Sequence, residues 1–526
     1  MTINSATRHG RKLGAAVVAL ALSAFGLVGL SSVASADPIG DIGNIDSPDA
    51  GNGSIIITKY EKSPTNGTTG GNGTPQSGLG TTIDGVVFSI QEVIHDPANT
   101  SIDLLTNAGW NEANAVETAW SPAAPNTLIA GYKLTAATNQ TTASGGIATF
   151  GSLHYGLYLI KEVSAPSNVT DPALPFLVTV PFPTGPSNVS NPNEWLYNVY
   201  VYPKNGVTGL TKVVDSSDSA FHTQGSFISW TITSNVPVLT NNAADFTVYD
   251  VTDTIDTTQL NFYTGVVPAG ISPRGVVITN ASNVDVSASF TPGTDYTYAI
   301  NVGLDVQTLS FTATGRSKLG TLAEGGTIKF TVPTTVVAVP ADGTVENQTD
   351  SYVNSGHLTY NTDTDLGQLR VYKYALVNGP GNSSPATKTP LAGATFQIYH
   401  DADSDGVADA GELVTSGGAT TFTTLASGLV DIPALKPGAY LLVETVAPVG
   451  YQLNATPHPV TVVAGPSVTG STNYIEVSND QVPPWLLPFT GGNGVLMFSL
   501  LGGGMMALAF GLAFVAFRRR KAQAKA

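Results

Sequence analysis

No cysteine occurs anywhere in the 526 residues. In an exported chain of this size that excludes disulfides as staples, and it leaves room for another kind of cross-link. Charge is also scarce: Asp, Glu, Lys and Arg together make up 11% of the chain. The balance is negative, -16 at neutral pH, which argues against nucleic acid or an anionic membrane surface as partner. Histidines number seven and are scattered. Neither His-Glu-x-x-His nor Gly-x-Ser-x-Gly is present, so two common enzyme signatures are missing. Sustained helical periodicity is missing too, up to the C-terminal end, apart from a stretch around Asn111 to Ala119.

Gly (56) and Pro (33) are abundant, and Thr, Val, Ser and Asn dominate the rest. This is the composition of all-β secreted modules, and the length suits about three domains of ~150 residues. Arg8, Arg11 and Lys12 precede an apolar run from Leu13 to Leu30 that ends at Ala34-Ser35-Ala36. That pattern is a secretory signal over 1–36, with the mature chain starting at Asp37. Residues 37–52 are rich in Asp, Gly, Asn and Pro and read as a flexible lead-in.

A repeat divides the mature chain. Gly146-Ile147-Ala148-Thr149-Phe150, then Tyr158-Leu159-Ile160-Lys161-Glu162 and Ala165-Pro166, align without a gap on Gly428-Leu429-Val430-Asp431-Ile432, Tyr440-Leu441-Leu442-Val443-Glu444 and Ala447-Pro448. Strands ending in Lys59 and Lys373 match upstream. A different alternating pattern fills the middle, from Leu210-Thr211-Lys212 to Tyr360. The expected architecture is therefore all-β: three tandem immunoglobulin-like sandwiches over 53–205, 206–364 and 365–482.

Each expected domain carries a lysine in its first strand, an acid in mid-chain and an asparagine near its end. The sets are Lys59, Glu162 and Asn205; Lys212, Asp253 and Asn354; and Lys373, Glu444 and Asn479. Asp250 is an alternative to Asp253, and Asn198 to Asn205. Glu444 follows an apolar strand that should face a core, where a lone carboxylate is rare. Burial lowers the pKa of a lysine and raises that of a carboxyl. Pressed together, the amine becomes a nucleophile and the acid a proton shuttle, so the lysine can displace ammonia from the asparagine carboxamide. The product is an isopeptide bond within one domain.

In the third domain, Asp401-Ala402-Asp403-Ser404-Asp405-Gly406-Val407-Ala408-Asp409-Ala410-Gly411-Glu412 fits a calcium loop of the EF-hand kind, without flanking helices. Asp401, Asp403, Asp405, the Val407 carbonyl, Asp409 and Glu412 would supply the oxygens. No other cofactor is expected.

At the C-terminus, 483–526 holds Leu487-Pro488-Phe489-Thr490-Gly491, an apolar span over 495–517 and the basic run Arg518-Arg519-Arg520-Lys521. Together these resemble a cell-wall sorting signal of Gram-positive bacteria. Tyr440 to Tyr451 resembles the E-box of collagen-adhesin B-type modules, with Glu444 as its acid; the middle domain looks like an A-type module. Trp195, Val199, Val201, Tyr202, Pro203 and Lys204 resemble the pilin motif W-x-x-x-V-x-V-Y-P-K. The chain thus resembles the shaft pilins of sortase-assembled pili, of the SpaA/FimA kind.

That resemblance implies a class C pilin sortase that cleaves Thr490–Gly491 and passes Thr490 to Lys204 of an identical subunit, head to tail. It implies minor or tip pilins and peptidoglycan as further partners, a host surface ligand for adhesion, and a location on the wall or in a surface pilus. A monomeric wall-anchored adhesin is the competing expectation. Pro203 is expected to end its strand, leaving Lys204 just beyond it.

Overall fold

In the computed structural model, the described residues are 45, 52–63, 71–184, 194–214, 227–239, 246–267, 274–377, 387–482 and 493–523. The expected leader at 1–36 and the pentapeptide at 487–491 lie outside them.

The first unit is built on Gly53–Thr58, where Ile55 and Ile57 alternate into the core. This strand pairs antiparallel with Ile147–Leu153 and parallel with Asn198–Val201, so the start and end of the unit lie side by side. The facing sheet centres on Val87–His95 and Gly156–Ser164. Pro203 interrupts the pairing only briefly. The chain re-enters a strand at Lys204–Val207, parallel to Tyr60–Glu61, so the expected stop is a short break. One lost N–H at a strand joint does not prevent pairing on the other side.

The expected helix forms over Asn107–Ala119, with the Thr106 hydroxyl capping the Gly109 N–H. It buries Trp110, Ala113 and Val116 in a second small core. Trp195 of the motif packs against Trp110, ring centroids 5.3 Å apart and planes tilted by 41°. The motif's tryptophan is therefore a packing anchor.

In the middle unit, one sheet carries Leu210–Val214, Phe227–Asn235, Thr327–Val336, Leu260–Phe262 and Gly275–Thr279. The other runs Tyr296–Asn301, Val306–Phe311, Tyr249–Ile255, Thr344–Val353, Gly356–Asp365. Trp230, Phe330, Tyr249 and Phe311 are fully or almost fully buried between them.

The third unit repeats the first. Gly367–Val377 pairs antiparallel with Leu429–Leu435 and parallel with Tyr474–Ser478, facing a sheet of Phe422–Thr423, Thr395–His400, Gly438–Val446 and His458–Val462.

The units touch in order. The hairpin tip of the middle unit donates from the His357 N–H to the Ser167 carbonyl and from the Ser355 hydroxyl to the Thr170 carbonyl. Leu366 and Ala434 share an apolar cluster with Trp230 and Val345. Last comes a helix over Asn493–Gln523; its segment Phe498–Arg518 has mean hydropathy 2.1 and no buried part. It is long and apolar enough to cross a membrane.

Candidate functional site: three buried lysine–acid–amide sets

The third unit assembles its set completely. Lys373 stands on the first strand opposite Val477 of the last strand, and Asn479 follows two residues later. Glu444 reaches in from the facing sheet. The Lys373 ammonium donates to Asn479 Oδ1 at 2.5 Å and lies 3.2 Å from Glu444 Oε1. Asn479 Nδ2 donates to the same Glu444 oxygen at 2.8 Å, and the Asn454 N–H donates to the other at 3.0 Å. All three side chains are buried. Burial pushes the Lys373 amine below its ordinary pKa, against the opposing pull of Glu444.

The first unit gathers the same three residue types around its acid, but Asn205 Oδ1 accepts from the Ala173 N–H at 2.8 Å where Asn479 Oδ1 accepts from its lysine. Lys59 Nζ is 2.9 Å from Glu162 Oε2, and Asn205 Nδ2 donates to Glu162 Oε1 at 2.6 Å. The Ala173 N–H, like that of Asn454, donates to the acid at 3.2 Å. Lys59 and Asn205 are fully buried. Desolvation holds the Lys59 amine down at about 8, against the charge and hydrogen bond of Glu162. Asn198, the alternative, is exposed on the edge strand and accepts from the Ser54 hydroxyl.

The two copies share details that the repeat hinted at without explaining. A bulge precedes Phe88 opposite Glu162 and Phe396 opposite Glu444. Each phenylalanine ring lies under its lysine, 5.6 Å from Lys59 Nζ and 5.4 Å from Lys373 Nζ. The repeat glycines pack on the lysine backbone. A Cβ at Gly146 would come 2.6 Å from the Lys59 carbonyl oxygen, and one at Gly428 would come 2.5 Å from that of Lys373. Both have φ near +75°, a conformation glycine adopts without penalty.

The middle unit departs from expectation at one position. Lys212 Nζ lies 2.9 Å from Asp253 Oδ2, both fully buried, above the Trp230 ring at 5.5 Å. Asp253 is thus the carboxylate that meets Lys212. Asp250 faces the other way, half-exposed, opposite Ser310 and Tyr352. Burial drives the Lys212 pKa down and the Asp253 pKa up, each against the attraction of the other.

The structure does not bring Asn354 to this pair. It sits at the hairpin turn with φ +50°, where its Oδ1 accepts from the Thr247 N–H at 2.8 Å. The asparagine beside Asp253 is Asn347, 2% exposed, whose amide helps to hold the Asp253 pKa down. Neither polar atom of the Asn347 side chain has a well-formed hydrogen bond. Two signals could have found it. Asn347 is in phase with Val345, Thr349, Ser351 and Val353, all buried, whereas Asn354-Ser355-Gly356 is a turn sequence.

Lys204 and Asn205, consecutive in one strand, point to opposite faces. Asn205 enters the buried set, while Lys204 is half-buried at the surface with a pKa lowered first by desolvation and then by the charge of Lys62. Tyr202 fixes the loop beside this strand: its hydroxyl accepts from the Gln76 N–H at 2.7 Å and donates to the Thr74 carbonyl at 3.0 Å.

The acidic loop of the third unit brings carboxylate oxygens of Asp401, Asp403 and Asp405 within 4.8 Å of one another. Gly406 turns the chain at φ +73°. Asp409 and Glu412 stand outside this group; Glu412 Oε1 accepts from the Ala402 N–H at 2.9 Å, and its Oε2 is buried without a hydrogen-bond partner. The loop leads into a single short 3-10 turn at Ala410–Glu412 and has no flanking helices.

Two family models match: the Gram-positive pilin subunit D1, N-terminal domain, over residues 52–206, and the SpaA prealbumin-like fold domain over residues 383–480. Among curated proteins, the chain is 28% identical to a fimbrial subunit type 2 of Actinomyces naeslundii, covering 99% of both chains. It is 29% identical to a fimbrial subunit type 1 of Actinomyces viscosus, covering 98% of this chain and 99% of that one. The fold is similar to that of the full-length major pilin SpaD from Corynebacterium diphtheriae, with a TM-score of 0.57 and 19% identity over 84% of this chain and 99% of the other.

Proposed function

We propose that this chain, which matches two Gram-positive pilin domain models and resembles fimbrial subunits over nearly its whole length, is the shaft subunit of a covalent surface pilus, joined through Lys204 and Thr490. The observation that carries this reading is the alternation at Lys204–Asn205. One strand offers a surface lysine of depressed pKa while its next residue enters the buried Lys59–Glu162 set. A sortase holding Thr490 as a thioester after cleaving Thr490–Gly491 would lose that thioester to the Lys204 amine of another copy. Head-to-tail repetition of one heterologous contact gives an open filament. The precursor waits on its C-terminal helix until the enzyme acts.

Within each subunit, neutral Lys59, Lys212 and Lys373 attack the side-chain carbonyl carbons of Asn205, Asn347 and Asn479. The C–N bond to the amide nitrogen breaks and ammonia departs. Glu162, Asp253 and Glu444 relay the protons. Each bond forms once, so the subunit is a substrate of its own chemistry and not a turnover enzyme. Because the first and third bonds tie the first strand of a domain to its last, and the middle one ties the first strand to the last but one, tension along the shaft loads covalent links in place of most of the strand ladders. The loop Asp401–Glu412 takes Ca²⁺ in the same reading: three clustered carboxylates repel one another without a cation, and the buried Glu412 oxygen has no other partner.

The test is the polymer. Wall extracts boiled in SDS should show a ladder of high-mass species, and Lys204→Ala should collapse it to monomer. An unchanged ladder would reject the Lys204 linkage, and a wild-type chain that is only monomeric would favour the wall-anchored adhesin.

A further inference from the structure

The middle unit holds one buried group that the chemistry above leaves unused. Gln307 is 0% exposed, and neither its Oε1 nor its Nε2 has a hydrogen-bond partner. Burying a carboxamide unpaired is unfavourable, because both ends give up water and gain nothing. For folding alone, leucine would serve better at this position.

Its place in the sheet suggests why an amide is kept. Val306–Phe311 runs antiparallel to Tyr249–Ile255, and the register sets Gln307 directly opposite Asp253. Opposed residues of an antiparallel pair present their side chains on the same face. That face buries Gln307, Leu309 and Phe311 on one strand and Val251, Asp253 and Ile255 on its neighbour. On its other flank Asp253 is opposite Thr349, whose hydroxyl is already committed to the Thr252 carbonyl at 2.5 Å. Neither Asp253 oxygen has a well-formed hydrogen bond, and the one nearer the amine, Oδ2, lies 2.9 Å from Lys212 Nζ. Of the two cross-strand neighbours of the acid, Gln307 is the one with uncommitted donors.

We propose that Gln307 is a positioning residue for the Lys212–Asn347 cross-link, its amide N–H holding Asp253 so that the acid faces the amine and the asparagine as the bond forms. This rests on the reading that the middle unit cross-links. The balance of the step is unchanged: Lys212 Nζ bonds to the Asn347 side-chain carbon, the bond to the amide nitrogen breaks, and ammonia leaves with a proton passed from lysine through Asp253. Gln307 exchanges no proton and forms no covalent bond. It steadies the relay.

The experiment is Gln307→Leu in the full chain, produced without sortase, with the Lys212–Asn347 peptide quantified by mass spectrometry at intervals after synthesis. The linked peptide should accumulate at least tenfold more slowly than in the wild type, while the links of the first and third units form normally. In a Lys212→Met background, where no middle link can form, the same change should leave the melting temperature within a few degrees, since the donor lost to Asp253 is offset by the removal of a buried polar group. A merely structural glutamine would move folding and linking in the same direction. Linking at the wild-type rate overturns the inference, as does a middle unit already unfolded at the assay temperature in the Lys212→Met background, or recovery of a Lys212–Gln307 peptide. If the wild-type chain itself lacks the Lys212–Asn347 peptide, the cross-linking of this unit fails as well, and that result is distinct from the others.

Discussion

Glu444→Gln in the third unit isolates what one internal bond does. The substitution keeps the size of the side chain and its contact with Asn479, but it removes the group that carries protons between Lys373 and the departing ammonia. The bond should not form, and the unit should retain the roughly 17 Da of ammonia that closure expels. Lys373 and Asn479 are 106 positions apart. On the chain-entropy model, a link closing a loop of that length contributes about 5 kcal/mol, before any native strain. For a domain of this size, that corresponds to a fall in melting temperature on the order of 20 °C. Glu444→Gln also leaves a buried ammonium without its anion, a separate penalty. Lys373→Met removes the bond and the amine but leaves Glu444 buried without its partner, so both variants should share the entropic loss and each adds the penalty of one unpaired buried group. Calorimetry of the third transition with intact-mass measurement checks both. A Glu444→Gln chain that still lacks the mass of one ammonia refutes the role of the acid. A Lys373→Met chain melting within a few degrees of wild type refutes the entropic account.

Linking of the first unit should follow the titration of Lys59, whose pKa is about 8. The neutral amine is roughly 10% of the total at pH 7 and ~90% at pH 9, so the rate should rise about tenfold per unit below pH 7 and level off above pH 9. Chain synthesised in a cell-free system and linked at fixed pH gives this profile, and a rise continuing past pH 10 would mean an ordinary lysine. The sign for stability agrees. A depressed lysine penalises the folded, unlinked domain below about pH 8, and the penalty is relieved as pH rises from there toward the unfolded value of 10.5. For the acidic loop, Ca²⁺ titrated into the metal-stripped chain should give one heat of binding in calorimetry and raise the melting temperature of the third unit. Asp403→Asn should weaken that binding by tenfold or more; no heat in the wild type would reject the site.

Much of this molecule is written locally. The alternating strands, the capped helix at Asn107–Ala119 and the apolar C-terminal helix follow from the period of the side chains and a single capping threonine. The gapless repeat announced that the first and third units share one plan, and the lysine, acid and asparagine of each of those two units were legible because they sit at matching points in it. The middle unit had no second copy to align, and there the asparagine was misplaced. Which amide meets Lys212 depends on the register of Thr344–Val353 against Tyr249–Ile255, set by pairings about a hundred residues apart. Asn347 points inward and Asn354 sits in the turn because the pleat alternates and the chain must reverse before Gly356. The packing of Trp195 against Trp110 and the register that sets Gln307 opposite Asp253 are of the same kind, relations between distant segments. The sequence by itself determined the elements, the repeat and the chemical inventory. Only the tertiary structure decided which members of that inventory meet, because strand register and sheet-on-sheet packing are properties of pairs of segments that no single stretch contains.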